Sequence, residues 1–226
     1  MERFTSFFLT FIIATSFVGS LILDPDGVFQ TNYQQKAIQA QLEGDVLNVE
    51  FMIVTPCIKK GDCYDFNDEI LNDVTKFYRD YDIEVSFIKQ NIVIEEPISI
   101  DLQPSTPAKY AIELKNKLIK ITGKDMPHVL HAPMFAGDPN NKILGIASEQ
   151  LELIVLDQEM IDSKSNEWEA HVLAHEIGHI FALPDLYSAL SCNLMDGYAS
   201  QRSFMCQRLT GKQVKVMRDK IKRDLM

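Results

Sequence analysis

His175-Glu176-Ile177-Gly178-His179, followed six residues later by Asp185 in Leu183-Pro184-Asp185, is the stretch on which the reading of this chain turns. Residues four apart share one face of a helix, so His175 and His179 can direct both imidazoles at one metal ion while Glu176 stands close enough to handle a proton. Two imidazoles and a third ligand, with the fourth position left to water, make a tetrahedral and open zinc site. The residues before the motif support a helix. Trp168, Val172 and His175 recur at helical spacing, Ser165 or Asn166 stands where a cap is needed, and Glu167 and Glu169 suit the positive end of the helix dipole. The spacing predicts a helix from about Glu167 to Phe181, ended by Pro184, with Asp185 just past a turn that brings the chain back toward the metal.

Alone, the histidine-glutamate motif is short enough to arise by chance, and its plain alternative is an amphipathic helix with two polar surface histidines. Asp185, just past a turn that can bring it back to the two imidazoles, favours the metal site. No glutamate follows Glu176, which excludes a site completed by a downstream glutamate. Besides Asp185, the candidate ligands nearby are Cys192, Asp196 and His171.

These residues resemble the signature of the metzincin zinc peptidases, HExxHxxGxxH or HExxHxxGxxD followed by a methionine turn. Here the pattern reads His175-Glu176-x-x-His179-x-x-Ala182-x-x-Asp185, then Asn193-Leu194-Met195. The resemblance implies one catalytic zinc ion held by His175, His179 and Asp185, with Met195 as an apolar floor beneath it. Glu176 would be the general base, and Tyr198 a candidate transition-state tyrosine, one residue further from Met195 than in relatives that carry one. The departure is Ala182. The family has glycine where the helix ends, and an L-residue at positive φ costs roughly 1–2 kcal/mol.

Beyond the motif, 226 residues at 46% hydrophobic content bound one globular domain with a proper core. The net charge of −10 disfavours nucleic acid and anionic lipid as partners, because an acidic protein gains nothing from phosphate. Phe7 to Leu23 is an apolar stretch preceded by Arg3, with small residues at Val18-Gly19-Ser20. Its length suits either a signal peptide over residues 1–20 or a membrane anchor over residues 7–23, with the signal peptide favoured. In both cases the rest of the chain leaves the cytoplasm, secreted or anchored. Residues 21–44 read as a polar extension or propeptide, glutamine-rich from Asp24 onward, and residues 45–226 as the zinc metallopeptidase catalytic domain.

Within that domain, Val46 to Thr55 alternates as a strand, and Ile70, Leu71, Val74, Phe77, Tyr78 and Tyr81 form a helical stripe. Ile83 to Ile94 reads as a second strand, and Tyr110, Leu114, Leu118 and Ile121 mark a second helix. Pro127 to Phe135, Ile143 to Ser148 and Leu151 to Leu156 complete five strands before the active-site helix. A final helix starts near Thr210, with Val214, Met217, Ile221 and Leu225 on one face. Strands separated by helices imply an α/β fold with a twisted, mixed, mostly parallel five-stranded sheet. The same order matches the metzincin catalytic domain in outline. In that family the strand before the active helix is an edge strand against which peptide lies, and Leu144 to Ser148 resembles it; an ordinary short edge strand is the equal alternative.

The cysteines fall into two local pairs, Cys57 with Cys63 and Cys192 with Cys206. An even count in an exported chain argues for disulfides, of which local pairing is the simplest of three connectivities. His171 shares a helix face with His175 and reads as structural. His128 and His131, three apart in a strand, face opposite sides and form no pair.

The expected activity is extracytoplasmic hydrolysis of peptide bonds by metal-activated water, with Glu176 as general base and a peptide or protein as substrate, by a monomer. Two alternatives stay open: a zinc amidase or esterase on a non-protein substrate, and a catalytically silent metzincin-like binding module.

Overall fold

The computed structural model describes residues 46–57, 66–93, 108–132, 144–157, 165–187, 192–196 and 207–224, together with the backbone of 21–23 and 29–31. The chain divides into two units, Met1–Gly44 and Asp45–Met226. In the first, strand β1 (Leu21–Leu23) pairs antiparallel with β2 (Phe29–Thr31). The sequence reading did not anticipate this pairing, because three-residue strands are too short for alternation to show. Among the described residues, no helix is long and apolar enough to cross a membrane.

The second unit is built on a five-stranded sheet. Its elements are β3 (Leu47–Cys57), helix α1 (Asp68–Arg79), β4 (Ile83–Val93), α2 (Ala108–Thr122), β5 (His128–Ala132), β6 (Gly145–Ser148), β7 (Leu153–Asp157), α3 (Asn166–Ile180) and α4 (Gly211–Asp224). The strand order is β4-β3-β5-β7-β6, with every pairing parallel except that of the edge strand β6, which runs antiparallel to β7. This is the mixed, mostly parallel α/β sheet that the alternation of strand and helix patterns implies. A parallel sheet needs cover on both faces. β5 and β7 are accordingly buried at every position.

The two faces are covered by different helices. Met52, Val54, Leu130, Ala132, Leu153 and Val155 pack with Leu114 and Leu118 of α2. Phe51, on the opposite face from Met52 by strand alternation, meets Phe181 just after α3, with ring centroids 6.1 Å apart. Tyr78 of α1 lies edge-on to the same Phe181 ring at 5.5 Å, and its hydroxyl donates to the Ala174 carbonyl at 2.7 Å, which locks α1 against α3.

Local chemistry explains the helix ends. Asn67 caps α1 by accepting from the Glu69 N–H at 2.9 Å, with Asp68 and Glu69 at the positive end and Lys76 and Arg79 at the negative end. The Thr210 hydroxyl caps α4 by accepting from the Gln213 N–H, and Val214, Met217 and Ile221 face inward as expected; Leu225 lies outside the described residues. Ser165 precedes α3 with extended backbone but makes no side-chain cap bond.

α3 ends within one residue of the Phe181 that the spacing predicts, but for a different reason. The helix stops at Ile180, well before Pro184. The Leu183 N–H donates back to Gly178 O and the Ala182 N–H to His179 O, both at 3.0 Å, and Ala182 sits at φ 65°. This is a Schellman turn, in which the residue after the cap adopts the left-handed region and reverses the chain. The turn, rather than the proline, ends the helix.

Candidate metal centre

The buried face of α3 places His175 and His179 one turn apart, and the Schellman turn returns Asp185 to them. Asp185 Oδ1 lies 3.1 Å from His175 Nε2 and 3.5 Å from His179 Nε2. One ligand atom from each of the three residues falls within 4.8 Å of the other two, a convergence that could hold a metal ion. The histidines are mostly buried while the Asp185 side chain is 39% exposed, so the cluster opens to solvent on the aspartate's side.

Main-chain carbonyls fix which nitrogen faces the centre. His175 Nδ1 lies 2.8 Å from Leu194 O, and His179 Nδ1 lies 2.7 Å from Leu183 O. A carbonyl oxygen only accepts, so each Nδ1 carries a hydrogen and each Nε2 faces Asp185, where it donates to the carboxylate when the ring is protonated and offers a lone pair to a metal when the ring is neutral. Two imidazole nitrogens and one carboxylate, with a solvent-facing position left over, fit zinc.

Glu176 is buried beside the cluster against β6. A Cβ built on Gly145 would lie 2.8 Å from Glu176 Cγ and 2.9 Å from its Oε1, so only glycine leaves the carboxylate its place. Burial pushes the Glu176 carboxyl up to about 7, with His175 opposing the shift and Asp185 adding to it. Burial lowers His179. At His175 burial also works against the charge, but the bond to Asp185 and nearby carboxylates outweigh it and the imidazole titrates higher than usual. Asp185 is held low, chiefly by its bond to His175.

Below the histidines the segment 192–196 forms a tight turn. Met195 is fully buried, and a Cβ on Gly178 would run into its sulfur. The Met195 carbonyl accepts from the Leu186 N–H at 2.6 Å, which ties the turn to the residue after Asp185. Asp196, one of the alternative ligands, is buried and bridges to Leu186. Cys192 is buried outside the converging group. His171 stacks on His175 at 6.5 Å with Trp168 stacked behind it at 5.8 Å, so it lines the ligand ring rather than joining the cluster. His128 and His131 are separate, as strand alternation requires. His128 contacts Lys115 and Thr122, and His131 lies edge-on to Phe66. Tyr198, Cys63 and Cys206 lie outside the described residues.

The sequence reading missed Gly145, Gly178 and the two carbonyls. Gly178 carried a signal, since a glycine inside a helix weakens it by about 0.5–1 kcal/mol and calls for a packing reason. Backbone acceptors leave no mark on the sequence at all.

Comparison with known proteins bears on the fold. No protein-family model and no curated protein matches the chain. Its structure is similar to that of metalloproteinase-II from Bacteroides fragilis, with a TM-score of 0.53 and 16% identity over 81% of this chain and 60% of that one. Archaemetzincin from Methanopyrus kandleri is similar at a TM-score of 0.48 and 16% identity, over 78% of this chain and 97% of that one. The likeness to the Bacteroides protein places this chain in the α/β fold of a metalloproteinase, and the chain spans about three fifths of that protein's length.

Proposed function

We propose that the chain is an extracytoplasmic zinc endopeptidase whose metal is held by His175, His179 and Asp185. The observation that carries this reading is the pair of Nδ1–carbonyl bonds, which turn both Nε2 atoms toward one carboxylate at a solvent-facing position. The Bacteroides metalloproteinase fold supports it.

Zinc, when bound, supplies Lewis acidity toward a carbonyl and acidifies water. Glu176 takes the proton of the attacking water and passes it to the departing amine, a role suited to a carboxyl whose burial brings it to about 7. Gly145 keeps that carboxylate in place. The peptide lies along the free edge of β6, the strand that carries Gly145 and ends the sheet. Met195 closes the underside of the ligand pair, and Tyr198 is assigned to the developing oxyanion.

The chain acts outside the cytoplasm as a monomer, directed by residues 1–20 as a signal peptide or held by residues 7–23 as an anchor, with 21–44 as an extension or propeptide. Disulfides pair Cys57 with Cys63 and Cys192 with Cys206, the simplest connectivity for an even cysteine count in an exported chain. Profiling on a peptide library beside small esters and amides tests the function. Peptide cleavage that disappears in Glu176→Ala while zinc stays bound is the expected result. Equal cleavage by folded, zinc-loaded Glu176→Ala overturns it, and turnover of esters alone moves the chain to the esterase class.

A further inference from the structure

The amide pair joining Asn193 to Gln213 lies outside the ligand set and yet ends on it. Asn193 Nδ2 donates to Gln213 Oε1 at 2.9 Å, and Gln213 Nε2 donates back to Asn193 Oδ1 at 3.0 Å, both buried. Two backbone donors fix which way these amides face. The Met195 N–H donates to Asn193 Oδ1 at 3.0 Å, and the Thr210 N–H donates to Gln213 Oε1 at 2.9 Å, so both atoms are oxygens and the reciprocal bonds follow. Between Asn193 and Met195 stands Leu194, whose carbonyl is the acceptor for His175 Nδ1 at 2.8 Å and whose N–H donates to Arg208 O.

We infer that Gln213, in the first turn of the C-terminal helix α4, is a positioning residue for the ligand His175. This rests on the zinc reading and extends it. The clasp holds the turn at 193–196 in one shape, the turn aims the Leu194 carbonyl, and the carbonyl sets the tautomer and ring orientation of His175. The outer partners of a metal-bound histidine usually govern affinity tenfold or more. Here the outer partner is a main-chain carbonyl that no side-chain substitution removes, so control passes to the amide that shapes its loop. Hydrogen-bonded buried amides suit the task because each lost bond leaves an unsatisfied partner.

The test uses the full chain with Gln213→Met, which keeps the side chain's size and loses the amide. Arg218→Ala serves as comparator, since it removes contacts from α4 to the Tyr81 and Asp82 carbonyls without touching the turn. Two readouts are taken: the exchange-protected His175 Nδ1–H proton signal of the metal-free protein, and zinc affinity by chelator competition. Gln213→Met is expected to lose the protected signal and to bind zinc about tenfold more weakly, while Arg218→Ala lowers the Tm and changes neither. If Gln213→Met does not fold, Gln213→Glu takes its place: it keeps the acceptor for Thr210, removes the donor to Asn193 and is expected to shift the same two readouts. Unchanged readouts in the folded Gln213 variant overturn the inference, as does an equal loss in Arg218→Ala at a matched fall in Tm. Should the unmodified chain bind no zinc, the proposed function falls, and the proton signal still decides the clasp.

Discussion

Gly178 lies against Met195 with no room for a Cβ between them. A glycine one residue before a proposed ligand, in the interior of α3, is thus a matter of contact: the helix accepts a weaker position so that the Met195 side chain can press against its back. Leu183 adds a second wall to the same gap, 3.7 Å from where a Cβ would sit.

Gly178→Ala sets two effects in opposition. Helix propensity favours alanine by about 1 kcal/mol, while forcing a methyl into a packed contact costs roughly 1–3 kcal/mol. Met195 is fully buried and cannot swing into solvent, so the steric cost should win. Denaturant unfolding is expected to show a net loss of stability, and the double variant Gly178→Ala/Met195→Ala should lose less than the sum of the two single changes. Additive losses would mean the two residues do not press on each other.

Ala182→Gly should act in the other direction. Ala182 occupies φ 65° at the turn that ends α3, where an L-residue pays about 1–2 kcal/mol and glycine pays little. Part of the gain is offset by the greater freedom of glycine in the unfolded chain. The denaturant midpoint should rise by an amount equivalent to about 1 kcal/mol, with the slope unchanged.

Gly145→Ala tests the seat of Glu176. The added methyl overlaps the glutamate's Cγ and carboxyl, and a displacement of about 1 Å at a reacting group can cost on the order of 100-fold in rate. Peptide turnover should fall in kcat with zinc content unchanged. A variant with full kcat would show that the carboxylate has another route to its place.

Glu176→Gln gives a signature independent of activity. Burial raises the Glu176 carboxyl from 4.5 to about 7 in the metal-free fold. A group whose folded value is raised contributes stability below its unfolded value and loses it as pH climbs through the folded one. The unmodified metal-free protein should therefore lose up to about 3 kcal/mol through this group between pH 4.5 and 7. Glutamine does not titrate, so the stability difference should move in favour of Glu176→Gln across that window and level off above it. Thermal unfolding over a pH series measures this, and parallel curves would show that Glu176 is not desolvated.

What the sequence made legible follows the range of each physical signal. Alternation over β3 and the stripe of Ile70, Leu71, Val74 and Tyr78 on α1 are local patterns, and strands alternating with helices imply a mostly parallel sheet without giving the order of its strands. The histidine spacing on α3 is likewise local, since a helix brings residues four apart together. Asp185 returns to the site through a turn closed by main-chain hydrogen bonds, so the sequence marked the residue and the helix end near Phe181 while assigning the stop to Pro184. Gly145 and Gln213 matter through neighbours 31 and 20 residues away. No short-range pattern encodes such contacts, and the carbonyls of Leu183 and Leu194 have no residue type to betray them.

The central claim is the metal centre, and zinc content tests it most directly because it requires no knowledge of the substrate. The full chain, purified without a metal-binding tag, should hold about one zinc ion, and replacing His175 or Asp185 with alanine should release it. Folded protein that takes up no zinc when the ion is supplied would contradict the account and leave a silent fold in place of a peptidase.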